Sequence, residues 1–163
     1  MVDTLLIRPA TAADAADIAR LANALDASDG PGTQPYSADV IRRDGFGPHP
    51  AFTVLLAELD GRAIGYALFM DIYNSDLAAP GVLLSDLFVE PEARGCGIGR
   101  ALIAAVAREA VARGAKSVSW GVLERNAAAR GFYARLGARD TPTALLLELD
   151  GPALDALAAE AQP

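Results

Sequence analysis

The chain has 163 residues, enough for one domain with a real core, and 52% apolar with 21% charged residues is ordinary globular composition. A formal net charge of −7 argues against a broad nucleic-acid surface, no apolar run approaches the ~20 residues of a membrane span, and the lone cysteine, Cys96, cannot close an internal disulfide. The opening MVDTLLIRPA has an acid where a secretory signal carries basic residues, so the expectation is a cytoplasmic protein, one domain over residues 1–163, whose acidity suits plain solubility or a small cationic partner.

LLIRP predicts a short strand closed by Pro9. TAADAADIARLANAL predicts a helix with Thr11 as N-cap, Asp14 three residues on, and an apolar seam of Ile18, Leu21, Ala22 and Leu25. The Gly, Pro and polar content of 27–36 reads as a loop, and SADVIRRDGFG as a short helix ending at Gly45. FTVLLAEL, the turn Asp60-Gly61 and RAIGYALFM predict a β-hairpin, because Asp-Gly favours the turns that close hairpins. VLLSDLFVE, residues 82–90, is almost wholly apolar and reads as a central strand covered on both faces. In the following helix Ile98, Leu102, Val106 and Ala110 recur every four residues, joined by Ile103, and Gly114 stops it. KSVSWGVL is a further strand, Asn126 caps the helix AAARGFYARL, Gly137 ends it, ALLLELD is a last strand candidate, and PALDALAAEAQP a weak helix or a frayed end. That order predicts an α/β or α+β fold with a mixed sheet.

Between the strand 82–90 and its helix lies EARGCGIGR, Glu92 to Arg100. Unpaired amides and the dipole at a helix N-terminus attract an anion, and glycines let successive N–H groups converge on it. Arg94 and Arg100 flank the turn with forked charge suited to phosphate. No Lys-Ser or Lys-Thr follows, which excludes a P-loop, and position 100 holds arginine where the dinucleotide fingerprint needs its third glycine. On spacing alone, a tight turn without a ligand is the competing reading.

The pattern Arg94-x-x-Gly97-x-Gly99 after LSDLFVEPEA resembles the pyrophosphate loop of the GCN5-related N-acetyltransferases, and VLERNAAARGFYARLGA resembles their second conserved block. IRPATAADAADIARL and DGFGPHP extend the likeness, over residues 5 to 139, toward the diamine (spermidine/spermine, thialysine) branch. The resemblance implies a mostly antiparallel mixed sheet flanked by helices with a splayed central strand pair. It also implies acetyl-CoA as cosubstrate, a small primary amine as acceptor, direct attack in a ternary complex and a homodimer. It assigns the cofactor to Leu87, Phe88, Val89, Arg94, Gly95, Cys96, Gly97, Ile98, Gly99, Arg100 and Asn126. Ser119, Trp120 and Gly121 match the other side of the splay.

Acetyl transfer to an amine poses two proton problems. Neutralising an ammonium of pKa ~10 at pH 7 costs about 4 kcal/mol, and the departing thiolate wants a donor. Tyr133 lies about two helical turns after Asn126, and the resemblance makes it that general acid; by itself it is also readable as a core-edge tyrosine. Asp86 is an acid in an apolar strand: an amine-binding charge, a base acting through water, or a partner for a backbone amide. Polyamine-acetylating relatives carry a glutamate where Ser85 stands and a Tyr-Glu pair where Ser28-Asp29 stand, so the substrate side, assigned to Ser28, Asp29 and Ser85, favours a smaller amine or a lysine-like amino acid over a long polycation. The alternatives are an acyl-CoA-binding module without turnover, favoured by the two serines, and a protein lysine or N-terminal acetyltransferase. Asp26 and Asp76 read as solvated acids, His49 as structural and Cys96 as a passenger; no cluster has metal-ligand spacing.

Overall fold

The structure, a computed structural model, describes residues 5–30, 35–141 and 149–160. The chain divides into two compact units, Met1–Arg125 and Asn126–Pro163.

The first unit holds a five-stranded sheet in the order β1-β2-β3-β4-β5. The strands are β1 (Leu5–Pro9), β2 (Thr53–Leu59), β3 (Arg62–Asn74), β4 (Ala79–Val89) and β5 (Val118–Ser119). Pairing is antiparallel from β1 to β4 and parallel between β4 and β5, so the expected mixed, mostly antiparallel sheet is what forms. The predicted hairpin turn has φ of 50° at Asp60 and 80° at Gly61, the doubly left-handed turn that Asp-Gly favours. β3 runs four residues past Met70. Asp71 to Asn74 alternate exposed and half-buried, and a second hairpin returns the chain into β4, where Leu77 N–H donates to Asn74 Oδ1 at 3.2 Å.

The helices of this unit are α1 (Ala15–Asp29), α2 (Ala38–Phe46) and α3 (Ile98–Ala112). A 3₁₀ turn, Ala12–Asp14, precedes α1, and Asp14 Oδ2 accepts from both the N–H (2.7 Å) and the Oγ1 (3.0 Å) of Thr11. α2 continues one residue beyond Gly45, because Gly45 lies inside the helix: a Cβ there would stand 2.5 Å from the Phe52 ring. That close approach is a packing reason for the DGFG segment. α3 ends as expected at Gly114 (φ 79°), with Ala115 N–H bonded back to Ala110 O across it.

The sheet separates two apolar clusters. Against α3 lie Leu55, Ala67, Phe69, Val82 and Leu84, meeting Ile98, Leu102, Val106 and Ala110 of the predicted seam. Against α1 and α2 lie Val54, Leu56, Tyr66, Leu68 and Phe88, meeting Ile18, Leu21, Ala22 and Ile41. Each fully buried large side chain contributes ~1.5–3 kcal/mol.

In the second unit Asn126 Oδ1 accepts from Ala129 N–H at 3.1 Å and caps α4 (Ala127–Ala134). Gly137 (φ 88°) stops it, with Ala138 N–H bonded to Tyr133 O. α5 (Gly151–Ala159) is a helix, the first of the two readings of PALDALAAEAQP. Residues 144–148 of the strand candidate ALLLELD lie outside the described residues.

Candidate active site

The site begins with a register shift. Leu68 of β3 pairs with Asp86, but the next residue, Phe69, pairs with Leu84. Ser85 is therefore the extra residue of a β-bulge, and it is exposed. Side chains alternate faces along a strand, so one extra residue reverses the phase. Before the bulge Val82 and Leu84 face α3; after it Leu87 and Val89 do, and Phe88 packs with the α1 cluster. Asp86 thereby leaves the α3 side and meets Tyr66, whose hydroxyl donates to Asp86 Oδ2 at 2.9 Å.

Tyr66 is fully buried, and burial first, then the Asp86 charge, holds its phenol far above the ordinary tyrosine range. It keeps its proton and remains a donor. Half-buried Tyr36 is pushed up by the same two causes with a contribution from Asp26. Its backbone is stapled to α1: Asn23 Nδ2 donates to Tyr36 O at 2.9 Å, and Tyr36 N–H donates to Asn23 Oδ1 at 2.8 Å. Two phenols and two carboxylates, from α1, the residues before α2, β3 and β4, thus share one neighbourhood.

The β4–β5 ladder consists of Val82 with Val118 and Leu83 with Ser119. Beyond Leu83 β4 pairs with β3 only, so the β4–β5 ladder ends just before the bulge that precedes Asp86. Arg94 Nε donates to Val89 O at 2.9 Å, and its guanidinium lies 5.6 Å above the Phe88 ring. A 3₁₀ turn, Pro91–Ala93, leads into the glycine stretch. Gly95 and Gly97 both have φ of 81°, a left-handed conformation that needs glycine, and a Cβ at either would point into open space. Ile98 is buried in the α3 core. The helical ladder opens with Ala101 N–H to Gly97 O at 3.0 Å, so the amides of Ile98, Gly99 and Arg100 project from the helix end outside it.

Comparison with known proteins decides what this assembly is. The profile of the acetyltransferase (GNAT) family matches residues 18–138. The chain belongs to that family. It is 35% identical over 146 residues to thialysine N-epsilon-acetyltransferase of Sus scrofa, spanning 84% of this chain and 85% of that one. It is 38% identical over 93 residues to L-ornithine N5-acetyltransferase of Arabidopsis thaliana, spanning 57% of this chain and 41% of that one. The fold superposes with a TM-score of 0.77 on an aminoglycoside N-acetyltransferase in complex with CoA, at 23% identity, covering 91% of this chain and 96% of that one.

In this GNAT acetyltransferase the strand end and the glycine turn are contiguous: Asp86, Leu87, Phe88, Val89 and the loop 94–100 follow one another along the first unit. Phe88 commits its side chain to the α1 core and Val89 its carbonyl to Arg94. Cys96 is exposed, with Sγ 3.8 Å from Arg94 O. Gly95, Gly97, Arg94 and Arg100 are exposed. Trp120 packs, half-buried, on the α3 cluster. KSVSWGVL contributes two paired residues where eight were expected, since the ladder with β4 stops at Leu83–Ser119.

On the acceptor side, Ser28 Oγ donates back to Leu25 O at 2.7 Å, which occupies its hydroxyl hydrogen within α1, and Asp29 is the last residue of that helix. Asp26 is half-buried rather than solvated, while Asp76 and His49 are exposed. Tyr133 and Phe132 are half-buried on α4, their ring centroids 5.2 Å apart. Tyr36 and Tyr66 escaped the sequence reading: nothing in RAIGYALFM distinguishes a tyrosine that holds an acid from one that fills a core. Among the described residues no group of His, Cys, Asp or Glu has metal-site geometry, and no helix is long and apolar enough to cross a membrane.

Proposed function

We propose that this N-acetyltransferase uses acetyl-CoA and acetylates a primary amine of a small molecule, a lysine-like amino acid or a diamine, by direct attack within a ternary complex. The observation that carries the reading is Asp86, turned by the Ser85 bulge onto the Tyr66 hydroxyl where β4 parts from β5. Thialysine and ornithine, named for two relatives, are both amino acids with a terminal amine, which favours acceptors of that shape.

The donor set fits a diphosphate. Left-handed Gly95 and Gly97 leave open space where side chains would stand, amides project from the α3 end, and Arg94 and Arg100 add charge. When bound, acetyl-CoA supplies an acetyl thioester. The loop would hold its pyrophosphate, and Leu87 to Val89 offer main chain on the side β5 has left. Asp86 would attract the acceptor ammonium, with Tyr66 fixing its carboxylate. After the ammonium has released one proton to bulk water, the neutral amine nitrogen would form the new N–C bond as the C–S bond breaks; Tyr133 would give the leaving sulfur its proton and regain one from the acylated nitrogen. A single domain over 1–163, a homodimer and a cytoplasmic setting complete the proposal.

Release of free CoA thiol, followed with a panel of lysine, ornithine, diamines, spermidine and simple monoamines, tests it. Turnover is expected with lysine-like amino acids or diamines, and Tyr133→Phe should lower kcat ~10²–10³-fold. Silence across the whole panel would overturn the enzyme reading, and an unchanged Tyr133→Phe would remove the acid.

A further inference from the structure

The anion loop hangs from the end of β4, and the last antiparallel pair there is Gly65 with Val89. Glu90 is the first residue beyond it. Its backbone N–H donates to Ile64 O at 2.9 Å. Ile64 is itself the extra residue of a second bulge, since Ala57 pairs with Gly65 while Glu58 pairs with Ala63. The Glu90 side chain is 13% exposed and takes two arginines from different elements. Arg20 of α1 reaches Oε1 at 2.5 Å, and Arg62 at the start of β3 reaches Oε2 at 2.8 Å. Arg20 also donates to Ala63 O at 2.7 Å and is steadied by Asp17 at 3.0 Å. One carboxylate therefore joins α1, β3 and the strand end.

What it joins continues directly into the loop. Ala93 N–H bonds to Glu90 O at 2.9 Å, forming the turn that precedes Arg94. Val89 O, immediately before Glu90, receives Arg94 Nε. The position of the Glu90 backbone thus sets both the turn and the Arg94 anchor. Arg20 and Arg62 are 42% and 66% exposed, so beyond neutralising the mostly buried Glu90 carboxylate the two pairs add little net stability. A nest whose amides must converge on one anion is different: displacing it by a fraction of an ångström weakens every contact together.

We infer that Glu90, gripped by Arg20 and Arg62, is a positioning residue that sets the geometry of the 94–100 loop for its anionic ligand. The inference rests on the proposal that this loop binds CoA.

The test is calorimetric titration of CoA, with steady-state kinetics, on wild type, Glu90→Gln, Arg62→Gln and the double variant. Glu90→Gln should raise the CoA Kd and the KM for acetyl-CoA ~10-fold while kcat and the KM of the amine stay within about twofold, a split that general destabilisation would not produce. Arg62→Gln should raise the CoA Kd ~3-fold, and adding it to Glu90→Gln should change nothing further, because the two act through one contact. If Glu90→Gln does not fold, Arg62→Gln carries the same split. A CoA Kd within twofold of wild type in both single variants, or an amine KM rising in parallel, overturns the inference alone. Wild type that ignores CoA overturns the cofactor reading and this one with it.

Discussion

The two faces of the sheet do different work. Toward α3, the buried side chains of the cluster are aliphatic except for Phe69, and none carries a hydrogen-bonding group. Toward α1 and α2 the same strands present Tyr66, and beside it the half-buried Asp86 and Tyr36. The neighbours β3 and β4 serve both faces, and the bulge at Ser85 decides which side receives the acid. Without the extra residue Asp86 would share a face with Val82 and Leu84, unsatisfied in an aliphatic core at a cost of several kcal/mol. Both sides of the sheet are packed, but the buried hydroxyl and the half-buried acid lie on one of them, and a one-residue irregularity puts the acid there.

If that division holds, a cut on the α3 face should cost stability and spare recognition. Phe69 is fully buried, with the Arg113 guanidinium 5.2 Å over its ring. Phe69→Ala should lose ~3–5 kcal/mol, lowering Tm by roughly 10 °C or more, while the surviving folded protein keeps its CoA Kd. Thermal melts and calorimetry below the transition check both halves; a Kd that collapses with Tm would break the comparison.

The converse cut is Asp86→Asn. Asparagine is isosteric and still accepts from Tyr66, so melting should move little. The acceptor kcat/KM should fall ~10²-fold, about 2.7 kcal/mol, because the charge proposed to attract the ammonium is gone. Parallel melts and amine kinetics decide it: a loss of stability matching Phe69→Ala with kinetics intact would make Asp86 structural.

How much of the fold and the site was legible in the sequence follows the physics of each signal. The α3 seam showed because Ile98, Leu102, Ile103, Val106 and Ala110 line up on one side of a helix, whereas in a strand Ile103 would fall on the face opposite the other four. The glycine turn showed because left-handed backbone at positions 95 and 97 demands glycine. Asn126 showed as a cap because short polar side chains satisfy helix-end amides. The bulges did not show. Ser85 in VLLSDLFVE looks like one polar residue in an apolar strand, and only the pairing with β3 makes it an extra one. β3 beyond Met70 was hidden because Asp71 and Asn74 are poor strand formers, brought into the ladder by pairing with β4. Tyr36 came into the site through the Asn23 staple, a long-range contact that no local window contains.

The faces should also differ in their response to pH. Where β1 meets α1, Arg8 donates to both Asp14 oxygens at 2.8 and 2.9 Å, and Thr11 adds two more bonds. Arg8 first, and Thr11 after it, hold the Asp14 carboxyl well below the usual carboxylate range despite partial burial. A depressed folded-state pKa contributes stability above the unfolded value near ~3.9 and loses it as pH falls below that. Asp14→Asn should therefore cost ~1.5–3 kcal/mol at pH 7, and denaturant melts should show its deficit narrowing below about pH 4. The Phe69→Ala deficit, dominated by lost apolar burial, should stay nearly constant across the same range. A deficit for Asp14→Asn that ignores acid would remove the electrostatic account of this junction.

In Asn126 packing and chemistry are proposed to meet in one side chain, and the expected effect is the smallest. Its Oδ1 caps α4, so Asn126→Ala should cost ~1 kcal/mol. Aspartate or serine at this position can cap as well as asparagine, yet neither offers asparagine's amide hydrogens. If the residue serves α4 alone, Asn126→Ser should restore both melting temperature and CoA Kd to wild type. If it also meets the cofactor, as we propose, Asn126→Ser should restore the melting temperature and leave the CoA Kd raised ~3-fold. The comparison of alanine with serine therefore separates a helix cap from a ligand contact at a single position, which the alanine variant by itself cannot do.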